Sequence, residues 1–202
     1  MYSIPWYWNF FKNRRHVFYR MCKMEKRKFN VGSAGINVEK GWYATDIETL
    51  DITKEEDWAN HLLFLKVDNI VAEHVWEHLN EKDTFLANRN CYKFLKKKGV
   101  LRIAVPDGFH PDPEYINYVK PNGSGMGAED HKILYNYKLM KEKLEKVGFS
   151  VNLLEYWDEE GNFHFTDWSI DDGKIMRSKR YDERNSDGNL VYTSLIVDAI
   201  KD

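Results

Sequence analysis

Two cysteines, Cys22 and Cys91, are too few for a disulfide framework and lack any metal-ligand spacing. Their scarcity fits a reducing compartment. No stretch approaches the roughly 20 apolar residues that a membrane-spanning helix needs. The N-terminus places its aromatics before its charges, the reverse of a secretion signal. A cytoplasmic protein is therefore expected. Internal repeats and low-complexity tracts are also missing, which excludes solenoid and fibrous architectures. The initial Met and a strand-like C-terminus read as a complete unit. Strong net charge is absent too, but the value of −2 hides a split: residues 1–28 carry +7 and the remainder −9.

What is present suits one globular domain of 202 residues, with 43% hydrophobic and 31% charged side chains. Residues 1–27 read as a basic, aromatic helical arm, because Trp6, Phe10, Phe11, Val17, Phe18 and Met21 fall on one helical face. Residues 28–202 then alternate strand and helix. Phe29–Val31 is a short strand entering the turn Gly32-Ser33-Ala34-Gly35, and Trp42–Ile47 is a second strand that delivers Asp46. Lys54 to about Leu63 reads as a helix with Thr53 as its N-cap. Val67–Ala72 is a strand presenting Glu73 and His74.

The helix after that strand is expected to start near Glu77-His78 and to close at Lys96-Lys97-Lys98-Gly99, cations and then a glycine. Val100–Val105 is the most apolar strand and stops at Pro106-Asp107. Residues 108–129, rich in Pro and Gly, read as a long loop with a functional purpose. Ile133, Tyr137, Met140, Leu144 and Val147 mark one face of a helix ended by Gly148. Strands follow at Phe149–Tyr156 and Val191–Ala199. The pattern predicts an α/β sheet with helices on both faces. In such sheets ligands bind at the carboxyl ends of the strands, so Gly32–Gly35, Asp46, Glu73-His74 and Asp107 share one edge.

These residues carry a resemblance. Phe29-Asn30-Val31-Gly32-Ser33-Ala34, Gly41 to Ile47, Glu73 to Leu79, Leu101 to Asp107 and Asp130-His131-Lys132 resemble the class I S-adenosylmethionine (SAM)-dependent methyltransferases. More narrowly, they are similar to small predicted methyltransferases associated with sugar and surface-polysaccharide pathways. The resemblance implies a Rossmann-like, mostly parallel, seven-stranded-type sheet. The short path from Gly32 to Asp46 implies an abbreviated first helix. It also implies SAM as cofactor and S-adenosylhomocysteine as product, with Gly32, Ser33 and Ala34 beside the methionine part. Asp46 and Ile47 then hold the ribose, Asp51 and Ile52 flank the adenine, and Glu73 and His74 border the methyl group. Ala34 departs from the pattern, since it stands where the second glycine usually falls and narrows the room for the carboxylate. A dehydrogenase is disfavoured because Gly-x-Gly-x-x-Gly is absent.

A sugar hydroxyl is a poor nucleophile and benefits from a base, a role that suits histidine with its reference pKa of about 6.5. His74 and His131 are the candidates, and Asp107 is read as orienting one of them or binding substrate. Sugars also stack on aromatic rings, and Trp42, Trp76, Tyr115, Tyr118, Trp157 and Trp168 fall near the expected site. Arg177, Arg180 and Arg184 are candidates to hold a phosphate carried by the sugar. RNA is the second acceptor class, resting on the basic arm and opposed by the acidic body. A small molecule or protein side chain comes third, and a non-catalytic subunit with this fold is a further class. Monomer and homodimer both stay open. His74-x-x-Glu77-His78 matches a zinc-peptidase motif, but His74 falls at a strand end where the motif needs a helix, so no metal is expected.

Overall fold

The computed structural model describes residues 21–33, 35 and 38–202. The helical arm lies mostly outside them, as does Ala34, although Met21 is described and fully buried in the main core.

Seven strands form one sheet: β1 (Lys28–Val31), β2 (Trp42–Ala44), β3 (Val67–Glu73), β4 (Leu95–Val105), β5 (Phe149–Trp157), β6 (Phe163–Phe165) and β7 (Leu195–Lys201). Their spatial order is β2-β1-β3-β4-β7-β5-β6. Parallel pairing links β2, β1, β3 and β4, and antiparallel pairing links β4 to β7, β7 to β5 and β5 to β6. This is the expected Rossmann-like, mostly parallel sheet. Between β1 and β2 the described residues contain no helix.

Alternation along the strands assigns each face. Leu101, Ile103 and Val105 of β4 and Leu195, Val197 and Ala199 of β7 join the larger core, while Ala104 and Ile196 face the other way. Helices α1 (Glu55–Leu62), α2 (Glu81–Phe94) and α4 (Tyr137–Glu145) deliver Trp58, Leu62, Ala87, Cys91, Met140 and Leu144 to that larger core. Trp58 stacks between Phe29 and Phe94 at centroid distances of 6.1 and 5.7 Å.

On the second face the described residues differ from the expectation of helical cover. It is closed by the chain from Trp168 to Tyr181, which holds only the 3-10 turn Ile170–Asp172. Buried Arg102 pins this chain: it pairs with both oxygens of Asp198 at 2.7 Å, donates to the Ser169 and Gly173 carbonyls at 2.6 Å, and lies 4.7 Å from the Trp168 ring centroid. One cation satisfies two carbonyls and a carboxylate, so irregular backbone can lie against the sheet without stranded polar groups.

Several boundaries depart from the sequence reading. Thr53 does not cap α1, because its hydroxyl and amide both bond to Asp51 Oδ1, at 2.7 and 3.0 Å. Helix α2 starts later than expected, at Glu81, after the 3-10 turn Trp76–His78; Asn80 caps it by accepting from the Asp83 amide at 3.0 Å. It also stops earlier, at Phe94, and Lys96-Lys97-Lys98-Gly99 belong to β4. The cations that meet the helix's last carbonyls come from elsewhere in the chain: Lys201 Nζ donates to Tyr92 O and Leu95 O at 2.7 and 3.0 Å, and Lys66 Nζ to Lys93 O at 2.8 Å. Within the expected long loop lies a short helix, α3 (Pro113–Val119), capped by Asp112. Helix α4 opens at Tyr137 with Asn136 as its cap, not at Asp130-His131-Lys132; the amides of Lys132 and Ile133 instead donate to Glu77 O.

Candidate active site

The chain runs from β1 outward to β2 and then back across β1 to β3, so strand order reverses between β1 and β3. Open α/β sheets bind ligands at such a reversal, outside the strands' carboxyl ends. Gly32 leaves β1 there with φ +64°, and a Cβ on it would stand 2.5 Å from Val75 Cγ2. Glycine is therefore required twice, by backbone conformation and by the close approach of the two strand ends. The Ser33 amide donates to Thr45 O at 3.1 Å, which holds the turn against the exit of β2 where Asp46 stands.

Two cavities open from this point. One, of about 390 Å³, is walled by Gly32, Ser33, Glu73, His74, Glu77 and His131 and roofed by Lys174, Met176 and Arg177. The other, of about 440 Å³, runs past Asp46, Ile47, Asp51, Ile52 and Leu79. Gly32, His74 and His78 line both.

No family model matches the sequence, and no curated protein matches it. Among solved structures, a SAM-dependent methyltransferase from Thermotoga maritima superposes with a TM-score of 0.52 at 12% identity, covering 97% of this chain and 94% of that one. The carbon methyltransferase CurJ gives 0.50 at 14% identity over 95% of this chain and 54% of its own length. The chain has the SAM-dependent methyltransferase fold.

Within this methyltransferase fold the residues singled out from sequence separate into groups. Asp46 and Ile47 form a tight turn: the Ile47 amide donates to Asp46 Oδ1 at 2.7 Å, and the Thr49 and Leu50 amides to Asp46 O at 2.8 Å. Asp51 is engaged by Thr53 and by Lys54 Nζ at 3.0 Å. Burial raises its carboxyl, and those hydrogen bonds and the Lys54 charge outweigh burial, leaving it below the ordinary range. Ile52 is buried, with its carbonyl taken by Trp58 Nε1 and Asn90 Nδ2.

Glu73 does not reach into the cavity as a free acid. Its two oxygens accept from the amides of Met176 and Arg177 at 2.9 and 2.8 Å, and so hold the roof in place. His74 has φ +56°, a strained conformation for a residue other than glycine, and its amide is tied to Ala104 O at 2.9 Å. Its Nδ1 lies 3.0 Å from Glu77 Oε1 and its Nε2 3.0 Å from Ser194 Oγ. Acid, imidazole and hydroxyl stand in the order of a hydrolytic triad, but Ser194 is fully buried and borders neither cavity, so no substrate meets it.

Asp107 is not beside either histidine. It is fully buried, and its oxygens accept from the Phe109 and Trp157 amides at 3.0 and 2.8 Å. The sequence reading made it an orienting or substrate-binding group; the structure makes it a fastener for the loop after β4. His131 does line the cavity. Its Nδ1 is 2.6 Å from Val119 O, which fixes that nitrogen as the donor and points Nε2 elsewhere.

The aromatic platform expected for a sugar is not there: none of Trp42, Trp76, Tyr115, Tyr118, Trp157 and Trp168 lines either cavity. Trp76 is fully buried with Nε1 on Asn88, and Trp168 is buried under Arg102. Conversely, Glu77 and His78, read from sequence as a helix start, stand in the cavity wall. Burial raises the Glu77 carboxyl, and the His74 and His78 imidazoles outweigh burial and hold it below the ordinary range. His74, Glu77 and His78 share no helix face, which removes the zinc-peptidase geometry. Lys174 and Met176 gave no sequence signal, whereas Arg177 fell among the cations of a polar stretch.

Among the described residues, no helix is long and apolar enough to cross a membrane.

Proposed function

We propose that this chain transfers the methyl group of SAM to a hydroxyl of a polar acceptor, a sugar bearing an anionic group being the class that fits. The observation that carries the reading is the meeting of two cavities at Gly32, His74 and His78, one lined by Asp46 and Asp51 and the other by Glu73, Glu77, His131, Lys174 and Arg177. The fold supports the cofactor, and the glycine turn fits it, because a bare backbone there lets a ligand approach closely and a Cβ would collide with Val75. When bound, SAM supplies an electrophilic methyl carbon on a sulfonium.

Gly32 and Ser33 border its methionine part, Asp46 accepts from the ribose hydroxyls, and Ile47, Ile52 and Leu79 cover the adenine. Lys174 and Arg177 meet an anionic acceptor group. The acceptor hydroxyl faces the corner formed by Glu77, His78 and His131, where the His131 Nε2 is placed to take its proton. Ordering acceptor and methyl donor at one junction supplies much of the rate in an in-line displacement. Support for a sugar in particular comes from the polar, cationic lining and not from ring stacking.

Calorimetric titration with SAM and S-adenosylhomocysteine tests the cofactor. Micromolar binding is expected, with Asp46→Ala weakening it by about tenfold or more, the loss of one charge-assisted hydrogen-bonding group. Binding of neither ligand sinks the proposal, and unchanged affinity in Asp46→Ala sinks the ribose assignment. Sugar phosphates and nucleotide sugars are then screened as acceptors. Lys174→Ala and Arg177→Ala should raise KM for anionic acceptors more than they lower kcat. Binding without turnover of any acceptor would favour a non-catalytic subunit.

A further inference from the structure

Glu77, His78 and His131 each offer one ligand atom, and these atoms all lie within 4.8 Å of one another at the cavity wall. Two independent features set this cluster apart from an accidental grouping. First, both imidazoles are held from behind. His78 Nδ1 lies 3.1 Å from Asp130 Oδ2, itself bridged to Lys132, and His131 Nδ1 lies 2.6 Å from Val119 O. Each ring thereby keeps Nε2 as a lone-pair donor. A carboxylate or backbone carbonyl behind the remote nitrogen is how metal-bound histidines are oriented. The two rings meet edge to face at 4.8 Å between centroids.

Second, Glu77 is 1% exposed, and among the described residues neither of its oxygens receives a well-formed hydrogen bond. His74 Nδ1 stands 3.0 Å from Oε1 and is the one side chain paired with it. A plain ion pair with His74 would account for one oxygen. It leaves the second oxygen and both Nε2 atoms unexplained. A buried carboxylate so sparsely paired is costly unless something outside the chain completes it.

We infer that Glu77, His78 and His131 form a binding site for a divalent first-row transition cation. Two imidazoles and one carboxylate suit zinc, manganese, cobalt or ferrous iron, whereas magnesium and calcium prefer all-oxygen sets. Three protein ligands leave positions open toward the cavity, as catalytic metal sites do. The purpose of the site rests on the methyltransferase reading: an acceptor hydroxyl taken into an open position has its pKa lowered and releases its proton to solvent water. The oxygen lone pair then forms the new bond to the methyl carbon, and the electron pair of the broken carbon–sulfur bond stays on sulfur. Under this assignment His131 is a ligand and the cation replaces it as activator.

The test uses the untagged full chain, stripped with a chelator and titrated with Co²⁺ by visible absorption and with Zn²⁺ by calorimetry, both without SAM. One equivalent of each should bind, with d–d bands of four- or five-coordinate cobalt. His78→Ala and His131→Ala should each weaken binding by tenfold or more, and Asp130→Asn by about tenfold through loss of the group behind His78. His164→Ala, whose imidazole pairs with Asp158 away from the cavity, should bind as the parent does. Thermal melts of each variant separate lost ligands from lost folding. Absence of stoichiometric binding, or binding indifferent to His78→Ala and His131→Ala in folded variants, overturns the assignment. SAM titration in the presence of chelator keeps the readings apart: SAM binding without cation binding sinks only the metal site, and the converse sinks only the methyltransferase reading.

Discussion

Asp107 and Glu77 are both buried carboxylates just beyond the carboxyl ends of neighbouring strands, and the chain treats them in opposite ways. Asp107 is fully supplied, with backbone amides of Phe109 and Trp157 on its oxygens and its own amide donating to Tyr115 Oη at 3.1 Å. Burial dominates there and pushes the carboxyl up to about 6. Glu77 has no amide from another segment on its oxygens, only its own, and the imidazoles beside it hold its carboxyl down. A carboxylate saturated by its own chain is a fastener. One left unsaturated, and kept ionised by neighbours that also face a cavity, is available to something from outside.

Four measurements would break or sharpen this contrast. The largest effect is expected at Glu77→Gln, which should lower methyl transfer about a hundredfold while moving stability by less than about 1 kcal/mol, because the side-chain amide keeps an acceptor oxygen in the same place. Turnover and urea midpoint, measured on the same preparation, check both halves. Asp107→Ala should do the reverse: it strands two buried amides and should cost about 2–3 kcal/mol in urea unfolding with SAM affinity unchanged. If Asp107→Ala abolishes SAM binding in folded protein, the fastener description is wrong.

Tyr115→Phe removes the acceptor for the Asp107 amide and should cost about 1 kcal/mol by the same measurement. The smallest effect is pH dependence. Folded Asp107, near 6, holds its proton more tightly than the unfolded group at its ordinary 3.8. The folded state therefore carries more protons between those values, so this contribution to stability is full below about 4 and is lost as pH rises through 6. In Asp107→Asn that component of the slope should vanish; an identical slope in the variant would assign it to another group.

The contrast also marks what the sequence could reveal. Strand positions, the glycine turn and the placement of Asp46 and His74 at strand ends were legible, because period-two burial and glycine at a forced positive φ are local signals. Asp107 was misread because its role depends on the Trp157 amide, brought from the end of β5. The lysines of 96–98 looked like a helix terminus, and nothing near them in sequence shows that Lys201 and Lys66 supply the cations. Glu77 and His78 were taken for a helix start because their neighbour His131 arrives from the segment after α3, three labelled elements later. The aromatic residues named for sugar stacking went to the core and to loop packing, where large rings stabilise most by burial. Short-range pattern found the frame, and side chains that act only in company stayed invisible until the loops were closed.

The left-handed backbone at His74 has a consequence for which residue can stand there. Glycine at that position would relieve about 1 kcal/mol of backbone strain while deleting the imidazole between Glu77 and Ser194. Backbone geometry and the ion pair with Glu77 therefore favour different residues at this one site. Glycine or asparagine there would ease the backbone yet leave the buried Glu77 carboxylate without its imidazole, so the strain is the smaller of the two costs.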